Sequence, residues 1–296
     1  MPQPAEPSQN NAYPHPPENL PYGEWNQLMM DFFREAGGIA LKWQRRLTPS
    51  RKADKTIVTE ADLEVSALAH RVFAPLKEQG HLILDEETAD EAGAPSAELF
   101  ASHDFIWAID PIDGTSAYTM GFTSFAISAG LLYKGRPLIG GVLMPATNTL
   151  FIHDEQRAMQ MHRPFGTNIH SEPLKMLESL DGHVFFDVVS GKPIKEFDLS
   201  DLPADITASN AMAVGLAHVA SGRACGCYFQ AAVWDLAGAW PLLEAVGAKV
   251  FNLETGAALE EITPDLLQET WYFKDRYIVC NPSFFSRLQA AFKTKK

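Results

Sequence analysis

Basic charge is scarce in this chain of 296 residues: 24 Lys and Arg stand against 37 Asp and Glu, a formal net charge of −13. A surface of that sign has little with which to displace counterions from a nucleic-acid backbone, so no nucleic-acid partner is expected. Cysteine is scarce too. Three cysteines, with Cys225 and Cys227 separated only by Gly226, supply neither a disulfide framework nor the four ligands of a structural zinc site. Half-buried strand positions are the expectation for that pair. No uninterrupted apolar stretch reaches the length of a membrane span, and the N-terminus has no basic start followed by an apolar core. The expectation is therefore no membrane partner and a cytoplasmic location. What the chain has in quantity is apolar residues, 46% of the total, enough for the core of one large or two fused domains.

One stretch concentrates the chemistry, Trp107 to Tyr118, which reads WAIDPIDGTSAY. Phe105 to Ile109 is a short apolar run with β-branched and aromatic bias, which favours a buried strand. Pro111 disfavours the helical region for Asp110 and lacks a backbone donor, so the chain is expected to leave the ladder and turn. Asp113 follows at a spacing that lets both carboxylates face one space. Gly114 permits a tight backbone, and Thr115-Ser116-Ala117 can open a helix whose free N–H groups suit an anion. A plain Asp-Gly turn with solvated acids is the competing reading. Clustered carboxylates beside an anion pocket make sense if divalent cations lie between them, because like charges would otherwise repel each other and the anion.

Other segments take their place around that stretch. Residues 1–21, rich in Pro, Asn, Gln and Ser, read as a disordered tail. Apolar residues from Trp25 to Trp43 recur at helical spacing. Thr59 can cap a helix carrying Glu60 and Asp62, and Asp62 on its own reads as a first-turn acid. His81 to Leu84 reads as a strand that runs into Asp85, Glu86 and Glu87, while 89–102 reads as an exposed loop. Strands at 125–133, 137–144 and 149–153 suggest an antiparallel meander. An alternating pattern over 183–189 suggests a further strand, a helix is expected over 211–220 and a strand over 224–229. Asp235 opens a helix running to about Gly247, where an isolated acid would be an ordinary cap. The expected division is an N-terminal half over 22–160 and a C-terminal half over 161–296, forming one catalytic unit.

Four stretches together resemble the inositol monophosphatase family of metal-dependent, often lithium-sensitive phosphatases. They are KADKTIVTEAD at 52–62, LDEET at 84–88, WAIDPIDGTSAY at 107–118 and WDLAGAWPLLEAVGA at 234–248. The resemblance implies an α/β chain with an α+β N-terminal half, built as a layered αβαβα sandwich of the sugar-phosphatase type. It implies Mg²⁺, two or three ions, held by Glu86, Asp110, the carbonyl of Ile112, Asp113 and Asp235. It makes Glu86, Thr115 and Asp62 the catalytic residues, with Thr115 and Asp62 orienting the attacking water. Gly114 and Thr115 would bind phosphate, while Asp113 and Gln230 would meet the rest of the substrate. The implied reaction is hydrolysis of a small phosphorylated metabolite, such as an inositol phosphate, histidinol phosphate or a sugar phosphate, by a homodimer. The resemblance thins at Asn210-Ala211-Met212, at Gln230, where better-known members have a glutamate, and over 163–209. A bisphosphate nucleotidase, a fructose-1,6-bisphosphatase and a catalytically inactive binding protein on the same fold therefore stay open as alternatives.

Overall fold

The computed structural model describes residues 16–45, 50–51 and 57–295. Most of the expected tail and the 52–56 part of the KADKTIVTEAD stretch lie outside these residues. Leu20 lies within them and packs, partly buried, on the N-terminal core, so the tail ends earlier than its composition suggests.

A seven-stranded sheet forms the first half. Leu82–Asp85 pairs in parallel with Phe105–Asp113, and an antiparallel meander continues through Ala126–Tyr133, Arg136–Met144, Thr149–His153, Ala158–His162 and His170–Pro173. The sheet therefore passes the boundary expected at 160. Its last strand is exposed along its length and carries no apolar pattern that would mark it in the sequence. Side chains alternate across the central strand. Trp107 and Ile109 face helices Tyr22–Gln44 and Glu60–Val72, among Phe32, Phe33 and Phe73, while Ile106 and Ala108 face the opposite side. Both faces are covered, which is why this strand is apolar throughout instead of alternating.

The opposite side meets helices Met212–Ala220, Val233–Ala237 and Trp240–Ala245, and beyond them a five-stranded mixed sheet. Its order is Asp205–Thr207, Phe185–Asp187, Gly226–Phe229, Tyr277–Cys280 and Lys249–Asn252. A last layer holds Phe284, Phe285 and Leu288 against Phe186 and Tyr228. The succession is helix, sheet, helix, sheet, helix, the layered sandwich that the resemblance implies.

Three local expectations are corrected. The stretch 89–102 contains short helices at Ala89–Ala92 and Ala97–Ser102. Ser96 caps the second, Phe100 stacks on Trp271, and Trp271 donates its indole N–H to Gly93 O at 2.9 Å. The helix expected from Asp235 to Gly247 is two helices. Gly238 lies so close to the first sheet that a side chain there would meet Gly141 O at 2.6 Å, and Pro241 cannot donate to the preceding turn. Cys225 and Cys227 are fully buried, not half-buried, because both faces of their sheet are covered. Burial raises the Cys225 thiol to about 11 and leaves both thiols protonated, against a redox or ligand role. Among the described residues no helix is long and apolar enough to cross a membrane.

Candidate active site

The central strand does not end at Asp110. It continues through Pro111 to Asp113, with Asp110 opposite Ser128 and Asp113 opposite Ala126. Three steps on one strand therefore match two on its neighbour, which is a bulge of one residue. The bulge decides the geometry. At an odd spacing of three, a regular strand would send the two carboxylates to opposite faces; the extra residue returns them to the same one. Pro111 supplies the reason, since it has no N–H to give the ladder.

Asp235 arrives from the other half. Helix Val233–Ala237 packs directly on the two central strands, and Gly130 makes that approach possible: a side chain there would overlap the backbone carbonyl of Ala237. The hydroxyl of Ser128 also donates to Trp234 O at 3.1 Å. As a result, carboxylate oxygens of Asp110, Asp113 and Asp235 all lie within 4.8 Å of one another.

Each acid is anchored differently. Asp113 accepts from the N–H groups of Met212 at 2.9 Å and Ala213 at 2.7 Å, the free donors at the start of helix Met212–Ala220. Asp235 accepts from Ala232 N at 2.7 Å. Asp110 is buried, and its Oδ1 has no hydrogen-bond partner among the described residues. Burial raises all three acids. Asp110 rises well above its ordinary value, with the charges of Glu86, Asp113, Asp235 and Asp62 adding to desolvation. Burial and Asp235 lift Asp113 to about 7 against the pull of the helix N–H groups. Asp235 reaches about 6, again chiefly through burial, opposed by Ala232 N–H and a hydrogen bond from Asp110. A buried oxygen without a donor inside a cluster of mutually repelling carboxylates fits a divalent cation with oxygen ligands.

Glu86 follows strand Leu82–Asp85, and its N–H donates to Ile109 O at 3.2 Å. It stands outside the tight group of three, yet close enough for its charge to act on Asp110. Its neighbour Asp85 turns inward instead. Asp85 accepts from the hydroxyl of Ser66 and the N–H of Glu87, and lies 3.2 Å from His70 Nε2. The acidic run at 85–87 is thus divided between core and site.

Thr115 opens the short helix Thr115–Thr119 just after Gly114, whose φ is +83°. Its hydroxyl lies 3.4 Å from Asp62 Oδ1 and 3.0 Å from the Ile112 carbonyl. Asp62 is buried and doubly tied to Thr59, whose N–H donates to Asp62 Oδ2 at 2.9 Å. Gln230 is not among the carboxylates. It lies on the segment between strand Gly226–Phe229 and Ala232, where its Oε1 accepts from Lys192 Nζ at 3.0 Å.

Asp187 is a buried acid that sequence reasoning passed over. It ends strand Phe185–Asp187 and accepts from Val189 N at 2.7 Å and Ser209 N at 3.1 Å. It shapes the turn leading into the helix that holds Asp113. The available signal is an apolar run ended by an acid, FFD, the same pattern as at Asp85 and Asp110.

Residues 29–295 match the sequence profile of the inositol monophosphatase family. The chain belongs to that family. A Nus factor SuhB of Xylella fastidiosa is 28% identical over 239 residues, covering 77% of this chain and 81% of its own length. The chloroplastic phosphatase IMPL1 of Arabidopsis thaliana is 29% identical over 189 residues, 60% of this chain and 48% of that protein. In fold, the chain is similar to an inositol monophosphatase of Thermotoga maritima, with a TM-score of 0.69 at 21% identity, covering 90% of this chain and 96% of that one. Membership in this phosphatase family and the buried acidic cluster agree on divalent metal binding.

Proposed function

We propose that the chain hydrolyses a small phosphate monoester with the help of Mg²⁺. The observation that carries this reading is the convergence of Asp110, Asp113 and Asp235 around a buried Asp110 oxygen that lacks a donor among the described residues. Those three acids, with Glu86 and the Ile112 carbonyl, would hold the ions. Bound there, divalent cations supply water activation and neutralise charge developing on the phosphoryl and leaving oxygens.

The protein's own groups complete the site. The Thr115 hydroxyl, between Asp62 Oδ1 and the Ile112 carbonyl, would orient the attacking water, and Asp62 and Glu86 would take up its proton. The N–H groups of Gly114 and Thr115, at the start of a helix, would receive phosphate oxygens. Asp113, gripped through both oxygens by helix N–H groups, has little freedom to turn away from ions or substrate. Family resemblance also supports a homodimer, which light scattering on the eluting protein would measure.

The test is inorganic phosphate release from inositol 1-phosphate, histidinol phosphate, fructose 1,6-bisphosphate and adenosine 3',5'-bisphosphate, with Mg²⁺ or with EDTA. Mg²⁺-dependent release from at least one supports the reading. The relatives named Nus factor favour a second reading, a role carried by the fold without turnover. No release from any of the four, in protein that binds Mg²⁺, would favour it.

A further inference from the structure

A cleft of about 620 Å³ opens in the C-terminal half and contains none of the three clustered acids. Lys192, Gln230, Lys274 and Arg276 line it, together with Glu196 and Glu254. The charges are not distributed evenly. Arg276 is engaged by Glu196 at 3.8 Å and by Glu254, so both glutamates turn to the guanidinium and the trio keeps one net negative charge. Asp275, also on the wall, accepts from Asn252 at 2.9 Å. The two lysines are held by uncharged acceptors: Lys192 by the amide oxygen of Gln230, and Lys274 by the carbonyl of Asp265 at 2.7 Å. An amide oxygen aims an ammonium without cancelling its charge, whereas a glutamate at 230 would form an ion pair with it.

The cleft is also tied to the site by the chain itself. Gln230 lies two residues before Ala232, whose N–H anchors Asp235, so its Cα is within roughly 7 Å of that residue's and 18 Å of Asp235's by chain length alone. We propose that Lys192, aimed by Gln230 and supported by Lys274, binds a second phosphate on the leaving-group side of the substrate, so that the preferred ester is a bisphosphate. This assignment rests on the phosphatase reading and makes it more specific. It makes Gln230 the residue that positions the lysine.

Matched pairs test it: fructose 1,6-bisphosphate against fructose 1-phosphate, and adenosine 3',5'-bisphosphate against adenosine 3'-phosphate. KM and kcat are measured for each, and binding of each is followed by calorimetry in the presence of Mg²⁺. Within at least one pair the bisphosphate should have a KM lower by about tenfold or more, the value of one charge-assisted contact. Lys192→Ala and Gln230→Glu should each remove most of that ratio. No preference in either pair, or a preference that survives both substitutions, overturns the assignment. If nothing is hydrolysed, the phosphatase reading fails separately, and calorimetry still decides this one. Bisphosphate binding lost in both variants supports it; binding that is absent or unchanged overturns it.

Discussion

At the scale of residues, the site turns on Asp110. Its carboxylate is raised well above its ordinary value by burial and by four neighbouring acids, and one oxygen lacks a donor among the described residues. Asp110→Asn keeps the shape and removes the charge. Turnover should fall on the order of a thousandfold, the loss of several kcal/mol of charge stabilisation. Thermal unfolding in EDTA should stay at the wild-type temperature or rise, because a repelling charge is gone; a collapse of the fold would show that Asp110 is structural. Thr115→Ala should lower kcat on the order of a hundredfold if the hydroxyl orients water. A drop of only twofold or threefold would reduce Thr115 to a helix-start residue. The legible acids are those whose flanks carry the family pattern: Asp62, Glu86, Asp110, Asp113 and Asp235. Asp187 lies where the resemblance thins, and no sequence rule distinguishes Asp85, turned into the core, from Glu86 beside it.

At the scale of elements, the bulge at Pro111 and the glycine after it do the positioning. Alternation and composition reveal a strand before Asp110, but not that it resumes at Asp113, because a bulge depends on the register of the partner strand. The division of the helix after Asp235 likewise depends on how closely Gly238 meets Gly141 of the first sheet, a contact between residues far apart along the chain. Gly114 offers the test. A side chain there would sit 2.8 Å from the Ala211 Cβ in a left-handed conformation that L-residues disfavour. Gly114→Ala should cost about 2 to 4 kcal/mol in urea unfolding, from backbone strain plus overpacking. It should also weaken activity through the shifted Thr115. A variant as stable and active as wild type would refute the packing of this turn against the start of helix Met212–Ala220.

At the scale of the whole molecule, two sheets and the helices between them bring Asp110 and Asp113 of one half against Asp235 of the other, so metal binding and stability are linked. The folded protein without metal holds protons on Asp113 to about pH 7 and on Asp235 to about pH 6, against an ordinary value of 3.8. These two acids therefore contribute stability below pH 4 that is lost as the pH rises through 6 and 7. Cations compete with the same protons. The rise in unfolding temperature on adding Mg²⁺ in place of EDTA should be larger at pH 8 than at pH 5.5. Taking that difference cancels the opposing contribution of buried His81 and half-buried His153 and His218, whose values are lowered by desolvation. An equal rise at both pH values would mean that the ion binds elsewhere. The layered order of the fold is legible from the family pattern, whereas the exposed last strand of the first sheet is not, because nothing apolar marks it. The most direct measurement is phosphate release from the four-ester panel by wild type and Asp110→Asn, each with Mg²⁺ and with EDTA. Release is expected from the wild type with Mg²⁺ alone; release that persists in EDTA or in Asp110→Asn would contradict metal-dependent hydrolysis at this cluster.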